Sequence, residues 1–135
     1  MTDDPSSAKP GLTAAELAVH PTVFADGAFR DQVVVVSGGA GGIGRAIAWL
    51  FARLGAHVAL VGRAQGKLDA LVHQLTGRGL KASAHAADIR EPEAVGALFD
   101  AIWEEQGRIV SLVNSAGGQF PQAAIDFSVK GWNAV

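Results

Sequence analysis

From Gln32 onward the hydrophobic residues alternate between two periods. Val33 to Val36 form an unbroken β-branched run, the pattern of a strand covered on both faces. Ile43, Ile47, Leu50, Phe51 and Leu54 then recur at helical spacing, and Gly55 closes that helix before a second strand over residues 57–61. Strand, helix and strand within about thirty residues predict a parallel pair joined by a right-handed crossover. The alternation continues through a helix marked by Leu68, Leu71, Val72 and Leu75, which the glycines at 77 and 79 stop, and a weak strand over 81–87. A third helix follows Pro92, with Val95, Leu98, Phe99 and Ile102 as its apolar face, and residues 109–113 give a fourth strand.

The pattern therefore predicts an α/β chain, a Rossmann-type doubly wound parallel sheet of about four strands in the order 3-2-1-4. Residues 1–30 read differently, because Pro5, Pro10 and Pro21 stand among small and polar residues. They are expected to form an extended, partly disordered arm in which Thr13 to Glu16 make a capping box for a short helical turn. Residues 31–135 form the folded unit. At the far end Ser128 caps a helix start, with Phe127 and Trp132 placed as a hydrophobic staple. In the order 3-2-1-4 the apolar fourth strand is an open edge, so the chain is expected to be the N-terminal part of a longer protein. Its intact mass, or the reading frame past Val135, tests that expectation.

The loop between the first strand and helix carries the most specific chemistry. Gly39, Gly41 and Gly44 match G-x-G-x-x-G, while Gly38, Gly42 and Gly44 match G-x-x-x-G-x-G. Such glycines let backbone approach a pyrophosphate, whose charge rests on amides at the helix N-terminus. A plain flexible turn is the bland alternative, and the flanking strand and helix argue against it. A nucleoside-triphosphate loop fails on two residues, since Arg45 and Ala46 stand where lysine and a hydroxyl side chain are required. At the end of the second strand, where a carboxylate would bind the ribose hydroxyls of NAD, the chain has Gly62 and Arg63. A guanidinium there suits the 2′-phosphate of NADP(H), so NADP(H) is expected in preference to NAD(H); the competing reading of Arg63 is a solvated loop arginine.

Composition narrows the partners. At 135 residues, with 49% of them hydrophobic, the chain has enough apolar surface for one core. Eleven basic and thirteen acidic side chains leave a net charge of −2, without the footprint of a nucleic-acid or anionic-membrane binder. No apolar run approaches the roughly 20 residues of a membrane span, and Asp3 and Asp4 open the chain without a hydrophobic signal. A cytoplasmic protein acting on a small molecule is expected. There is no cysteine, and His20, His57, His73 and His85 lack metal-ligand spacing, so no metal is expected. Glu104 and Glu105 are read as a solvated helix face, and Trp49, Trp103 and Trp132 as packing residues on separate helices.

Three ordered motifs, Ser37 to Gly44, then Asp88-Ile89, then Asn114-Ser115-Ala116-Gly117, resemble the short-chain dehydrogenase/reductase family from about Phe29 to the end. The resemblance implies a cofactor site of Ser37, Gly38, Gly42, Ile43, Gly44, Arg63, Asp88, Ile89, Asn114, Ala116 and Gly117. Asp88 and Ile89 would lie beside the adenine, and the turn from Asn114 to Gly117 over the ribose. Two positions depart from the family pattern: Ser37 replaces the usual threonine and keeps the hydroxyl, whereas Ser115 replaces an asparagine and loses an amide. Gly117 to Phe120 and Asp126 to Trp132 look like the branch of trans-2-enoyl-CoA and 2,4-dienoyl-CoA reductases, and are similar to citronellol/citronellal-type dehydrogenases. That likeness implies an apolar substrate and places Phe120 either at a lipophilic pocket or in the core. It also implies hydride transfer aided by a Tyr-x-x-x-Lys pair, a serine and an asparagine, all expected beyond Val135 in a chain truncated before its catalytic region, and a homo-oligomer, dimer or tetramer. The chain contains no tyrosine, and Asp126 stands four residues before Lys130. These 135 residues alone are therefore expected to be inactive. A non-catalytic NADP-binding module or a truncated product is the alternative.

Overall fold

The computed structural model describes residues 11–118, 121–126 and 128–132. Four strands, β1 (Val33–Ser37), β2 (His57–Gly62), β3 (Lys81–Ala86) and β4 (Ser111–Asn114), form one parallel sheet in the order β3-β2-β1-β4. The crossovers are α2 (Gly42–Arg53), α3 (Gln65–Thr76) and α4 (Pro92–Gln106). The predicted topology is therefore observed. Val33 to Ser37 are all buried because the helices cover both faces of β1, which is why four valines stand in succession. On one face Val34, Val36, Val58 and Leu60 pack with Ala48, Trp49, Leu68, Leu71 and Leu75 of α2 and α3. On the other, Val33, Val35, Ala59 and Val61 meet Leu98 and Ile102 of α4.

Some details differ from the periodicity. The deepest line of α2 is Ala48, Trp49 and Ala52, whereas Ile43 is 75% exposed. Two alanines let the helix approach the sheet closely, and Ile43 sits in the first turn, past the end of that contact. Trp103 and Trp132 are exposed, so of the three tryptophans Trp49 is the core residue, with the Arg78 guanidinium 5.2 Å from its ring. The fourth strand begins at Ser111 rather than Ile109: Gly107, with φ 69°, ends α4, and Ile109 and Val110 complete the turn. The Val110 amide already donates to Val33 O at 2.9 Å.

The segment before the sheet is not simply extended. Thr13 and Glu16 form the capping box of α1 (Ala14–Val19), and Leu17 is buried against α2. Arg53 donates to the carbonyls of Leu17 and His20 at 3.0 and 2.7 Å, Arg45 to that of Leu12 at 3.1 Å, and the Phe29 ring meets Phe51 edge-on. Among the described residues, ordered contact is thus present from Leu12 onward. At the other end the Gly131 amide donates to Ser128 Oγ at 3.0 Å ahead of α5 (Val129–Trp132), as expected of a cap; Phe127 and Phe120 lie outside the described residues.

Candidate cofactor-binding site

All four strands point their C-terminal ends toward one cleft of about 390 Å³. Gly38, Ala40 and Gly41 enter it after β1, Gly62 to Ala64 and Lys67 after β2, Ala87 to Arg90 after β3, and Ser115 to Gly118 after β4. Ligands of open parallel sheets bind at such a place, where neighbouring connections diverge from the sheet.

The glycine loop is shaped by close backbone contacts. Gly38 has φ 71°, and a Cβ on it would stand 2.7 Å from both Ala116 N and Ser115 O, so this residue lets the β1 and β4 loops touch. A Cβ on Gly44 would collide with the Gly38 carbonyl, which fixes the approach of α2 to the loop. Gly42 is different: a Cβ there meets nothing within 4 Å, so the space above the first turn of α2 is open. Gly41 caps that helix without a side-chain hydrogen bond, and its first amides have no intrahelical acceptor. An uncapped helix start beside open space is a place for an anion.

Of the residues expected at the site, Gly38, Arg63, Asp88, Ile89, Ala116 and Gly117 line this cleft together. Gly42, Ile43 and Gly44 lie in the first turn of α2 and are not part of its lining. Ser37 and Asn114 are paired across β1 and β4 and border a second cleft of about 250 Å³, on the α4 side, that Ile89 shares with the first. Ser115 does not break the sheet, because its amide donates to Ser37 O at 3.1 Å.

Sequence reasoning missed Lys67 and Arg90. Arg90 grips Asp88 with two guanidinium nitrogens, Nε at 2.9 Å from Oδ1 and Nη2 at 2.5 Å from Oδ2, while its amide donates to Oδ1 at 3.0 Å. These bonds hold the Asp88 carboxyl well below the usual carboxylate range, with a smaller contribution from the positive charge of Arg63. Arginine two residues after aspartate was the available signal. Lys67 carried a weaker one, its place in the first turn of the helix following Arg63.

The short chain dehydrogenase family model matches residues 32–135. The chain belongs to that family. It is 36% identical over 106 residues to a peroxisomal 2,4-dienoyl-CoA reductase of Arabidopsis thaliana, covering 78% of this chain and 36% of that protein. Among solved structures, the citronellol catabolism dehydrogenase AtuB of Pseudomonas aeruginosa PAO1 matches with TM-score 0.77 and 44% identity over 82% of this chain and 45% of its own. A metagenomic short-chain oxidoreductase in complex with NADP matches with TM-score 0.74 and 36% identity, over 78% and 48%. The chain thus spans between a third and a half of the length of these relatives. Among the described residues no helix is long and apolar enough to cross a membrane, and no three histidine, aspartate or glutamate side chains lie together as metal ligands.

Proposed function

We propose that this chain is the cofactor-binding half of an NADP(H)-dependent short-chain oxidoreductase. The carrying observation is the convergence of Gly38, Arg63, Asp88 and Ala116 on one cleft, with Arg63 exposed and engaged in no hydrogen bond or ion pair among the described residues. The open space over Gly42 and the uncapped helix start fit a pyrophosphate, and Arg63 fits a 2′-phosphate. Asp88 and Ile89 border the adenine, and the stretch from Asn114 to Gly117 covers the ribose. The bound nicotinamide supplies hydride chemistry; the chain's own residues bind and orient the nucleotide.

The structure in complex with NADP and the sorbose reductase of Gluconobacter frateurii with NADPH support this choice of cofactor by likeness. The named reductase and citronellol relatives favour an apolar substrate, an enoyl-CoA or a terpenoid or aliphatic alcohol or aldehyde, for the whole protein. No tyrosine is present to exchange a proton, so these 135 residues alone turn over nothing. That absence also favours the second reading, a non-catalytic NADP-binding module. Titration with NADPH and NADH tests the cofactor claim: Arg63→Ala is expected to weaken NADPH about tenfold and NADH far less, as loss of one charge-assisted contact requires. Equal losses for both would refute it.

A further inference from the structure

Asp-Gly and Asn-Ser are dipeptides in which the second residue's amide nitrogen can attack the first residue's side-chain carbonyl carbon, and each occurs once in the chain, as Asp26-Gly27 and Asn114-Ser115. The fold separates them. Asn114 ends β4 and is paired with Ser37, and the Ser115 nitrogen is committed, donating to Ser37 O at 3.1 Å. An amide held in this way must give up its bond before it can attack. Asp26-Gly27 carries no such restraint. The Asp26 side chain is exposed and forms no hydrogen bond or ion pair among the described residues. The Gly27 amide donates to no acceptor among them, although Ala28 N donates to Ala25 O at 3.1 Å and Arg30 N to Gly27 O at 2.9 Å. The first atoms that a Cβ on Gly27 would meet belong to the Arg30 guanidinium, with Nη2 at 3.0 Å, the far end of a flexible side chain rather than backbone. The nucleophile is free, and the space beside it yields.

We infer that Asp26-Gly27 is a site of spontaneous isoaspartate formation, and that this modification loosens the turn that clasps the end of α2. The Gly27 nitrogen bonds to Asp26 Cγ, the neutral carboxyl loses its hydroxyl, and the amide proton leaves with it as water. Water then opens the succinimide at either carbonyl. Opening at the α-carbonyl leaves the chain running through Cγ, whereas opening at Cγ restores aspartate. The isoaspartyl form adds the Asp26 Cβ to the backbone and leaves the α-carboxylate as a charged branch, a change of covalent path rather than of side chain. It enters a turn that sets a contact. Phe29, within that turn, donates its amide to Leu54 O at 2.9 Å, and its ring meets Phe51 edge-on with centroids 4.7 Å apart. Arg30 packs so closely on the following residue that a Cβ on Gly55 would stand 3.1 Å from Arg30 Cα. An added backbone atom at position 26 displaces the bonds from Ala28 to Ala25 and from Arg30 to Gly27, and with them the clasp.

The test ages the whole chain at neutral pH, folded or in urea, and digests it. Isoaspartate is read in each peptide from the methyl label that an isoaspartate-specific methyltransferase transfers from S-adenosylmethionine, and from a changed retention at unchanged mass. In the folded chain the label is expected to accumulate in the peptide holding Asp26 and to stay at background in the one holding Asn114. In urea it should appear at Asn114 as well, because the Ser115 nitrogen is released. Asp26→Asn should speed modification at this position, now with the mass gain of deamidation, and Asp26→Glu should abolish it, since glutamate would have to close a larger ring. Aged wild-type protein should have a lower urea midpoint than fresh protein, while Asp26→Glu protein aged in parallel should not. Background label at Asp26 in the folded chain, or equal label at Asn114 in the folded and unfolded chains, overturns the site. Label at Asp26 with an unmoved urea midpoint overturns the loosening of the clasp.

Discussion

The two edges of the sheet are built for different surroundings. Strand β3 carries Lys81, Ser83 and His85 among alanines, and its outward positions are small, polar or charged. Such an edge tolerates water. Strand β4 exposes Leu112 at 48%, Val110 just before it is exposed at 46%, and the cleft beside them on the α4 side is lined by Val35, Leu98 and Phe99. That edge has apolar surface left to cover. The difference separates a polar edge from one with apolar surface exposed: Gly38, Arg63 and Asp88, proposed to hold phosphates and adenine, follow β1, β2 and β3, while the apolar side lies at β4. Binding of the nucleotide's adenosine half should therefore survive in this chain, and chemistry at its nicotinamide half should not.

The largest expected effect strikes where the two regions touch. Gly38→Val forces a side chain into the Ala116 and Ser115 backbone at φ 71° and is expected to destabilise the fold by about 3 kcal/mol or more, read from urea denaturation. A shift below about 1 kcal/mol would show that the β1 and β4 loops are not in contact. Next comes a paired substitution. Leu68→Ala, on the buried face of α3, should lower stability by about 2–5 kcal/mol, and Leu112→Ala on the open edge by less than about 0.5 kcal/mol. Equal losses would erase the distinction between the edges. Leu112→Lys should reduce concentration-dependent self-association in sedimentation, whereas Lys81→Leu on the β3 edge should raise it.

A smaller effect concerns pH. His57 and His85 both contact Ser83 Oγ, at 2.9 and 2.8 Å. Burial pushes the His57 pKa down, the charges of His85 and Lys81 add to this, and Glu105 opposes it. The unfolded chain therefore takes up this proton first as pH falls, so the stability His57 contributes is present above about pH 6.5 and lost below it. The urea midpoint should drop on acidification through that range, and His57→Gln should flatten the drop; an unchanged slope would show that another group titrates. The smallest effect belongs to the Asp88–Arg90 pair, whose arginine is exposed: Arg90→Gln should leave the urea midpoint nearly unmoved.

Much of this was legible because the features are local and periodic. Four successive valines announce a strand buried on both faces, and the glycine spacing announces the turn that follows it. What could not be read depends on distance across the fold. Ile43 fits the helical stripe of α2 yet lies past its contact with the sheet, and Trp49 lies off that stripe yet is the buried one. Docking of α1 on α2 depends on carbonyls accepting from Arg45 and Arg53, more than thirty residues away. The site residues came from motifs, so Lys67 and Arg90, which belong to none of them, appeared only when the strand ends were brought together.

The most direct test of the central claim is an amide nitrogen–proton correlation spectrum of the isotopically labelled chain titrated with NADPH. The account predicts saturable shifts for Gly38, Gly41, Arg63, Asp88 and Ala116, with Ser83 and the exposed helix residues Glu104 and Glu105 unmoved. Shifts confined to the α4 side and the β4 edge, or no shifts in a folded sample, would contradict it.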